Sequence, residues 1–272
     1  MPIGVDIFSG AGGLSLGAEM AGIKIKFAVE RDRSAAETYR HNYSDTIMLQ
    51  DDIHNIKPQK YIAENESVFI VFGGPPCQGF STSNTKTRNC LNPNNSLFEE
   101  FVRFVHDLNP EWFLFENVEG IVNFEHGATL RKIRECFIDL GYDVVDDVLV
   151  ASNYGVPQHR NRFIMVGNRA GVKFQFPEKH DGIVTVDEAI ADLPDLENGQ
   201  ISESLPYKCR KNEASDYARL MRSGSNKARQ NYVSRNADYV IERYSYIGQG
   251  ENWRAIPDKL MQNYANKNNC HS

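Results

Sequence analysis

The 272-residue sequence predicts an α/β fold: a doubly wound, mostly parallel sheet with helices on both faces, followed by a small irregular domain. Three observations lead there. Short β-rich runs alternate with helix-period stretches across residues 2–170. A glycine-rich turn joins the first strand to the first helix, and the texture becomes polar and aperiodic after about Phe176.

Strands are expected at Pro2–Phe8, Ile25–Val29, Ile47–Leu49, Val68–Phe72, Trp112–Phe115, Val144–Val150 and Arg162–Val166. Helices are expected at Leu14–Met20, Ser34–His41, Leu97–Leu108 and Thr129–Leu140. The last two strands are joined by a loop with no helix, so an antiparallel pair should lie at one edge of the sheet. Thr185–Leu193 reads as a short helical piece, and the Asn- and Ser-rich remainder shows no clear period. The expected domains are therefore residues 1–185 and 186–272, with a boundary region near 180–195.

Composition narrows the class. Hydrophobic residues make up 41% and charged residues 24%, which excludes a disordered chain. No apolar run approaches the roughly 18 residues of a membrane span, and the N-terminal run lacks the basic flank of a secretory signal. The five cysteines, at 77, 90, 136, 209 and 270, form no CxxC pair. They exclude a disulfide scaffold and a zinc module, imply no metal, and favour a reducing cytoplasm. The net charge of −6 is unevenly spread. Residues 205–272 carry 12 Lys+Arg against 6 Asp+Glu, whereas the preceding 204 carry 18 against 30. A basic tail on an acidic body marks either a phosphate-facing surface or a solvated basic face.

Asp6-Ile7-Phe8-Ser9-Gly10-Ala11-Gly12-Gly13 follows the first strand and opens the first helix. Glycines there let the backbone approach a ligand, and the helix start offers free N–H groups. The spacing departs from the full dinucleotide fingerprint, because Ser15 stands where the third glycine belongs. Glu30 ends the second strand, 20 residues after Gly10, where an acid can hold both ribose hydroxyls. Asp52, after the third strand, can take an exocyclic amine. An adenosine-containing cofactor is expected, with NAD and S-adenosylmethionine both compatible.

Gly73-Gly74-Pro75-Pro76-Cys77-Gln78-Gly79-Phe80-Ser81 follows the fourth strand, where an open sheet delivers its ligands. A free thiol is only a few per cent thiolate at neutral pH, so Cys77 needs dipoles or a cation to become a nucleophile. Glu116 closes the fifth strand and is costly to leave unpaired after Trp-Phe-Leu-Phe. Arg160 and Arg162 open the last strand, and alternation sends them to one face.

This constellation resembles the DNA (cytosine-5) methyltransferase family in its bacterial modification-enzyme form. The matching pieces, in family order, are DIFSGAGG at 6–13, Glu30, Asp51-Asp52-Ile53, GGPPCQGFS at 73–81, ENV at 116–118 and Gln158-x-Arg160-x-Arg162. Ile247–Pro257 is similar to a segment of many target-recognition domains of that family. The resemblance implies a Rossmann-like, S-adenosylmethionine-dependent fold and a site-specific enzyme acting on double-stranded DNA, often within a restriction–modification system. It implies Cys77 as the nucleophile on cytosine C6, Glu116 on N3 and the exocyclic amine, Arg162 on O2, and Arg160 orienting the thiolate. It implies Phe8, Gly10, Gly13, Glu30, Asp52, Ile53, Pro76 and Leu97 as the cofactor pocket. Gln78, Ser81 and Ser83 would belong to a loop that closes behind a flipped base. The tRNA-methylating relatives share Cys77 and Glu116 but carry a recognition signature absent here. An NAD oxidoreductase would leave Pro75-Pro76-Cys77, ENV and the arginine pair unexplained.

Two departures carry expectations of their own. Asn92 and Asn94 stand where the family usually has Asp and Arg. After Tyr264 nothing resembles the family's closing helix and Gly-Asn-x-Val-type segment. That implies a truncated chain, or one subunit of a split enzyme completed by a second polypeptide.

Overall fold

The computed structural model describes residues 1–76, 97–222 and 224–261. The chain divides into two units: Met1–Gly155 with His159–Asp181, and Val156–Gln158 with the residues from Gly182 onward.

The first unit is built on seven strands: β1 (Ile3–Ile7), β2 (Lys24–Glu30), β3 (Ile47–Gln50), β4 (Ile70–Gly73), β5 (Trp112–Val118), β6 (Asp143–Val150) and β7 (Asn161–Asn168). Their order is β3-β2-β1-β4-β5-β7-β6. The first five run parallel, and β7 is antiparallel to both β5 and β6. The antiparallel edge is the one the helix-free connection demands. The strand order reverses between β1 and β4, so the crevice outside their carboxyl ends is where a ligand of such a sheet sits. Strand limits differ from expectation by one to three residues, most at β5, which runs on through Glu116 and Asn117 to Val118.

Helices α1 (Gly13–Met20), α2 (Arg33–Asn42), α3 (Leu97–Leu108) and α4 (Ala128–Asp139) cover the sheet. The alternation of β5 buries Phe113, Phe115 and Asn117 on one side. Phe113 stacks on Phe137 of α4 at 4.0 Å, and Phe101 of α3 meets Phe115 edge-on at 5.2 Å. This fully buried aromatic block fixes β5, and therefore the residues that follow Phe115, against two helices.

Beneath the glycine loop lies a buried polar chain. Ser15 donates its hydroxyl proton to Asp6 Oδ2 at 2.7 Å, and its oxygen lies 2.6 Å from the Tyr39 hydroxyl. Tyr43 donates to the Gly12 carbonyl at 2.7 Å. Gly12 has φ 99°, and a Cβ there would lie 2.3 Å from the Tyr43 ring, so only glycine fits. The departure of Ser15 from the dinucleotide pattern thus has a structural reason: its hydroxyl ties β1 to α2 under the loop. Asp6 Oδ1 has no hydrogen-bond partner among the described residues.

The second unit contains α5 (Val186–Ile190), α6 (Asp216–Met221), α7 (Asp238–Tyr244) and an antiparallel two-stranded sheet of β8 (Ile201–Pro206) and β9 (Lys227–Tyr232). Thr185 caps α5 reciprocally with Glu188, but the helix stops at Ile190, three residues before the expected end. The two strands went unseen in the sequence because neither carries an apolar alternation. The buried apolar side chains of this unit, among the described residues, are small or isolated: Ala214, Ala218, Ala228, Ile256 and Met261.

Full burial, with Glu30 nearby, raises the Asp6 carboxyl from an ordinary 3.8 to about 7. The folded chain therefore keeps a proton on Asp6 that the unfolded chain releases near 3.8, and folding stability is lost as pH rises from there to about 7. Asp6→Asn removes that proton linkage. Between about pH 5 and pH 8 the wild-type Tm is expected to fall relative to that of the variant. Parallel Tm–pH curves would show that Asp6 carries no such shift.

Candidate active site

A cavity of about 390 Å³ opens at the carboxyl ends of the parallel strands. Phe8, Glu30, Asp52, Ile53, Pro76 and Leu97 all line it, so six of the eight expected cofactor residues converge there. Gly10 and Gly13 are not in the lining. Gly10 instead donates its N–H to Glu30 Oε2 at 2.9 Å, which fastens the glycine loop to the end of β2. The other oxygen, Glu30 Oε1, accepts from Asp32 N–H at 2.7 Å. Gly13 begins α1.

The walls are chemically divided. Phe8, Val29, Ile53, Pro76 and Leu97 supply apolar surface, and Glu30, Asp51 and Asp52 supply carboxylates. Asp52 Oδ1 accepts from His54 N–H at 3.1 Å and lies 2.5 Å from His54 Nδ1. Hydrogen bonding from His54, more than the charge of Arg31, holds the Asp52 carboxyl below its usual range. Arg31 and Arg33 also line the cavity; they carry no periodic or motif signal, and only the fold brings them there.

Glu116 lies next to this cavity through Gly74. Gly74 is part of the lining, and a Cβ on it would sit 2.4 Å from Glu116 Oε2. Glu116 Oε1 is 2.7 Å from Arg162 Nε across the β5–β7 pair, and the two side chains are only about a quarter exposed (26% and 24%). Burial raises the Glu116 carboxyl above its ordinary value, and the charge of Arg160 works against that rise. Both expected arginines thus bear on this carboxylate. Arg162 does so from inside β7, and Arg160 is exposed just before that strand begins. Glu116 has the partner its apolar surroundings call for.

Asn117, the middle residue of ENV, had no role in the sequence reading. It is buried and donates through Nδ2 to the Pro75 carbonyl at 3.2 Å, while its Oδ1 accepts from Val118 N–H. A buried Asn in an aromatic strand is the signal that could have found it, because such a carboxamide must hold something. What it holds is the backbone that leads to Cys77. Cys77, Gln78, Ser81 and Ser83, with Asn92 and Asn94, lie outside the described residues. Among the described residues no group of His, Cys, Asp and Glu could hold a metal ion, and no helix is long and apolar enough to cross a membrane.

A mostly parallel seven-stranded sheet with its cavity at the β1–β4 reversal defines a Rossmann-like methyltransferase fold. Residues 4–271 match the C-5 cytosine-specific DNA methylase family, and the chain belongs to it. It is 35% identical over 260 residues to the type II methyltransferase M1.HphI of Haemophilus parahaemolyticus, covering 94% of this chain and 63% of that protein. It is 32% identical over 268 residues to M.DdeI of Desulfomicrobium norvegicum, covering 95% and 64%. The chain therefore spans just under two thirds of these relatives. A solved E. coli structure, described as a prophage-encoded DNA modification methyltransferase, superposes with a TM-score of 0.74 at 28% identity, over 92% of this chain and 77% of that one.

Arg162→Met should raise the Glu116 carboxyl further, since it removes the cation nearest the charged form. The midpoint of the Glu116 carboxyl ¹³C titration is expected to move to higher pH than in the wild type. An unmoved midpoint would mean that the ion pair contributes nothing to that carboxyl.

Proposed function

We propose that this chain methylates C5 of cytosine in double-stranded DNA, with S-adenosylmethionine as methyl donor and Cys77 as covalent nucleophile, as the modification enzyme of a restriction–modification system. The observation that carries the proposal is the sharing of Gly74. One residue lines the mixed apolar and acidic cavity, touches the Glu116 carboxylate, and lies three positions before Cys77.

The residues of the cavity fit an adenosine-bearing cofactor. The apolar walls suit a flat base, Glu30 stands at the strand end suited to a ribose, and Asp52, in the same lining, has a carboxylate able to accept from an exocyclic amine. When bound, S-adenosylmethionine supplies a methyl group on a positively charged sulfur. The protein's own task is to make an unreactive aromatic carbon nucleophilic. Cys77 thiolate adds to C6 of the cytosine and pushes electron density toward C5. Glu116, whose carboxyl burial pushes above its ordinary value, holds N3 and the exocyclic amine and favours a protonated N3 as charge develops on the ring. Arg162 engages O2, and Arg160 orients the thiolate. Once C5 carries the methyl group, a base removes its proton and Cys77 departs with the electrons of the C6–S bond.

In this proposal residues 1–185 form the catalytic and cofactor-binding domain and residues 186–272 the target-recognition domain. The base must leave the duplex to reach Cys77, and Gln78, Ser81 and Ser83 are assigned to the DNA-contacting loop that closes behind it. The excess of basic residues after position 205 supplies phosphate contacts.

The test is transfer of labelled methyl from S-adenosylmethionine to unmethylated duplex DNA by the full chain, alone and with a family C-terminal segment in trans. Cys77→Ala is expected to abolish transfer while leaving cofactor binding intact. Glu116→Gln should lower kcat about 100-fold or more, and Glu30→Ala should weaken cofactor binding about tenfold or more. A folded chain that transfers nothing under either condition would overturn the catalytic proposal. DNA affinity should fall steeply with salt, by a slope of about 0.9 in log–log units per phosphate neutralised.

A further inference from the structure

Gln230 sits in the interior of β9 with φ 56°, in the left-handed region that strains a residue bearing a Cβ. Its effect on the sheet is local. Ile201, Ser202, Ser204, Leu205 and Pro206 of β8 pair with Tyr232, Asn231, Arg229, Ala228 and Lys227 of β9 in one continuous register. The rung missing from this ladder is Glu203–Gln230. No residue is inserted, so the rung is opened by backbone rotation and not by a bulge. Pleating would put Gln230 on the side of Ala228, which is buried, yet both Gln230 and Glu203 are exposed.

Strain of this kind persists only where the surroundings over-determine it. A buried ion pair lines the same cleft as Gln230. Arg222 is buried, donates through Nε to Asp192 at 2.6 Å, and lies 3.8 Å over the ring of Tyr207. These three residues line a cleft of about 450 Å³, and Arg229, Gln230, Asn231 and Tyr232 line it as well. The Gln230 carboxamide has no hydrogen-bond partner among the described residues. A strained, exposed amide with no hydrogen-bond partner among the described residues is what an external ligand would use.

We propose that Gln230 is a specificity-determining residue that reads one base edge of the DNA target in the major groove; this rests on the DNA-methylating function proposed above. A two-stranded ribbon is among the elements the major groove of B-DNA admits. A Gln carboxamide presents the donor and acceptor pair that matches N6 and N7 of adenine, so adenine is the base assigned to it. Arg229, exposed beside it, has the fork that matches O6 and N7 of guanine.

The experiment is enrichment of bound duplexes from a random-sequence DNA pool by the full chain, with Gln230→Ala and Gln230→Gly in parallel. The wild type should enrich a motif containing an adenine. Both variants should lose preference at that one position, by about tenfold to a hundredfold, and keep the others. Gln230→Gly should also melt no lower than the wild type, since glycine accepts positive φ freely; a residue with a purely structural role would not combine gain of fold with loss of one base. The same motif in all three proteins, no motif in the wild type, or a lower Tm in Gln230→Gly would each overturn the proposal. Binding selection needs no methyl transfer, so a chain that enriches a motif but transfers nothing would defeat the proposed activity and leave the role of Gln230 standing.

Discussion

Between β1 and β5 the backbone of β4 leaves the sheet through a gap with no room for side chains. A Cβ on Gly73 would lie 1.8 Å from the Ile7 carbonyl oxygen, and one on Gly74 would lie 2.4 Å from Glu116 Oε2. One position further on, the Pro75 carbonyl is held by the buried Asn117 carboxamide. Bare backbone at two consecutive positions lets the segment leading to Cys77 run directly between the cavity and the Glu116–Arg162 pair. The neighbourhood of the cavity, the carboxylate and the Gly73–Pro75 backbone depends on that gap. The aromatic block of Phe101, Phe113, Phe115 and Phe137 holds β5 in place beside it.

Three carboxyl groups in the first unit show how environment assigns different tasks to one chemical group. Asp6, wholly buried, is pushed up to about 7 and helps tie the glycine loop to α2 through Ser15. Glu116, mostly buried, is also raised by desolvation, and two arginines bear on it, the charge of Arg160 working against that rise. Asp52, at the open cavity, is held ionised by His54. The order follows access to water: desolvation dominates where the side chain is sealed, and hydrogen bonding dominates where it is not.

The second unit is held by different means. Its described core is alanine-rich and thin, and a buried Arg222–Asp192 pair with Tyr207 stacked on the guanidinium stands where the first unit has phenylalanines. Such a core relies on directional contacts more than on buried apolar area. The strained, exposed Gln230 lies on this ribbon.

The alternation of strands and helices, the antiparallel edge and the residue types of the cavity were legible because each is a local property: apolar period within a dozen residues, or a motif within nine. The sequence alone determined that Glu30, Asp52, Glu116 and the two arginines would be functional candidates. Only the tertiary structure decided that Arg162 pairs with Glu116, that Ser15 answers Asp6 and Tyr39, that Asn117 grips Pro75, and that Glu203 faces Gln230 across an open rung. Those pairs are separated by between 9 and 46 positions along the chain. The order and register of strands bring them together, and no short-range pattern encodes that.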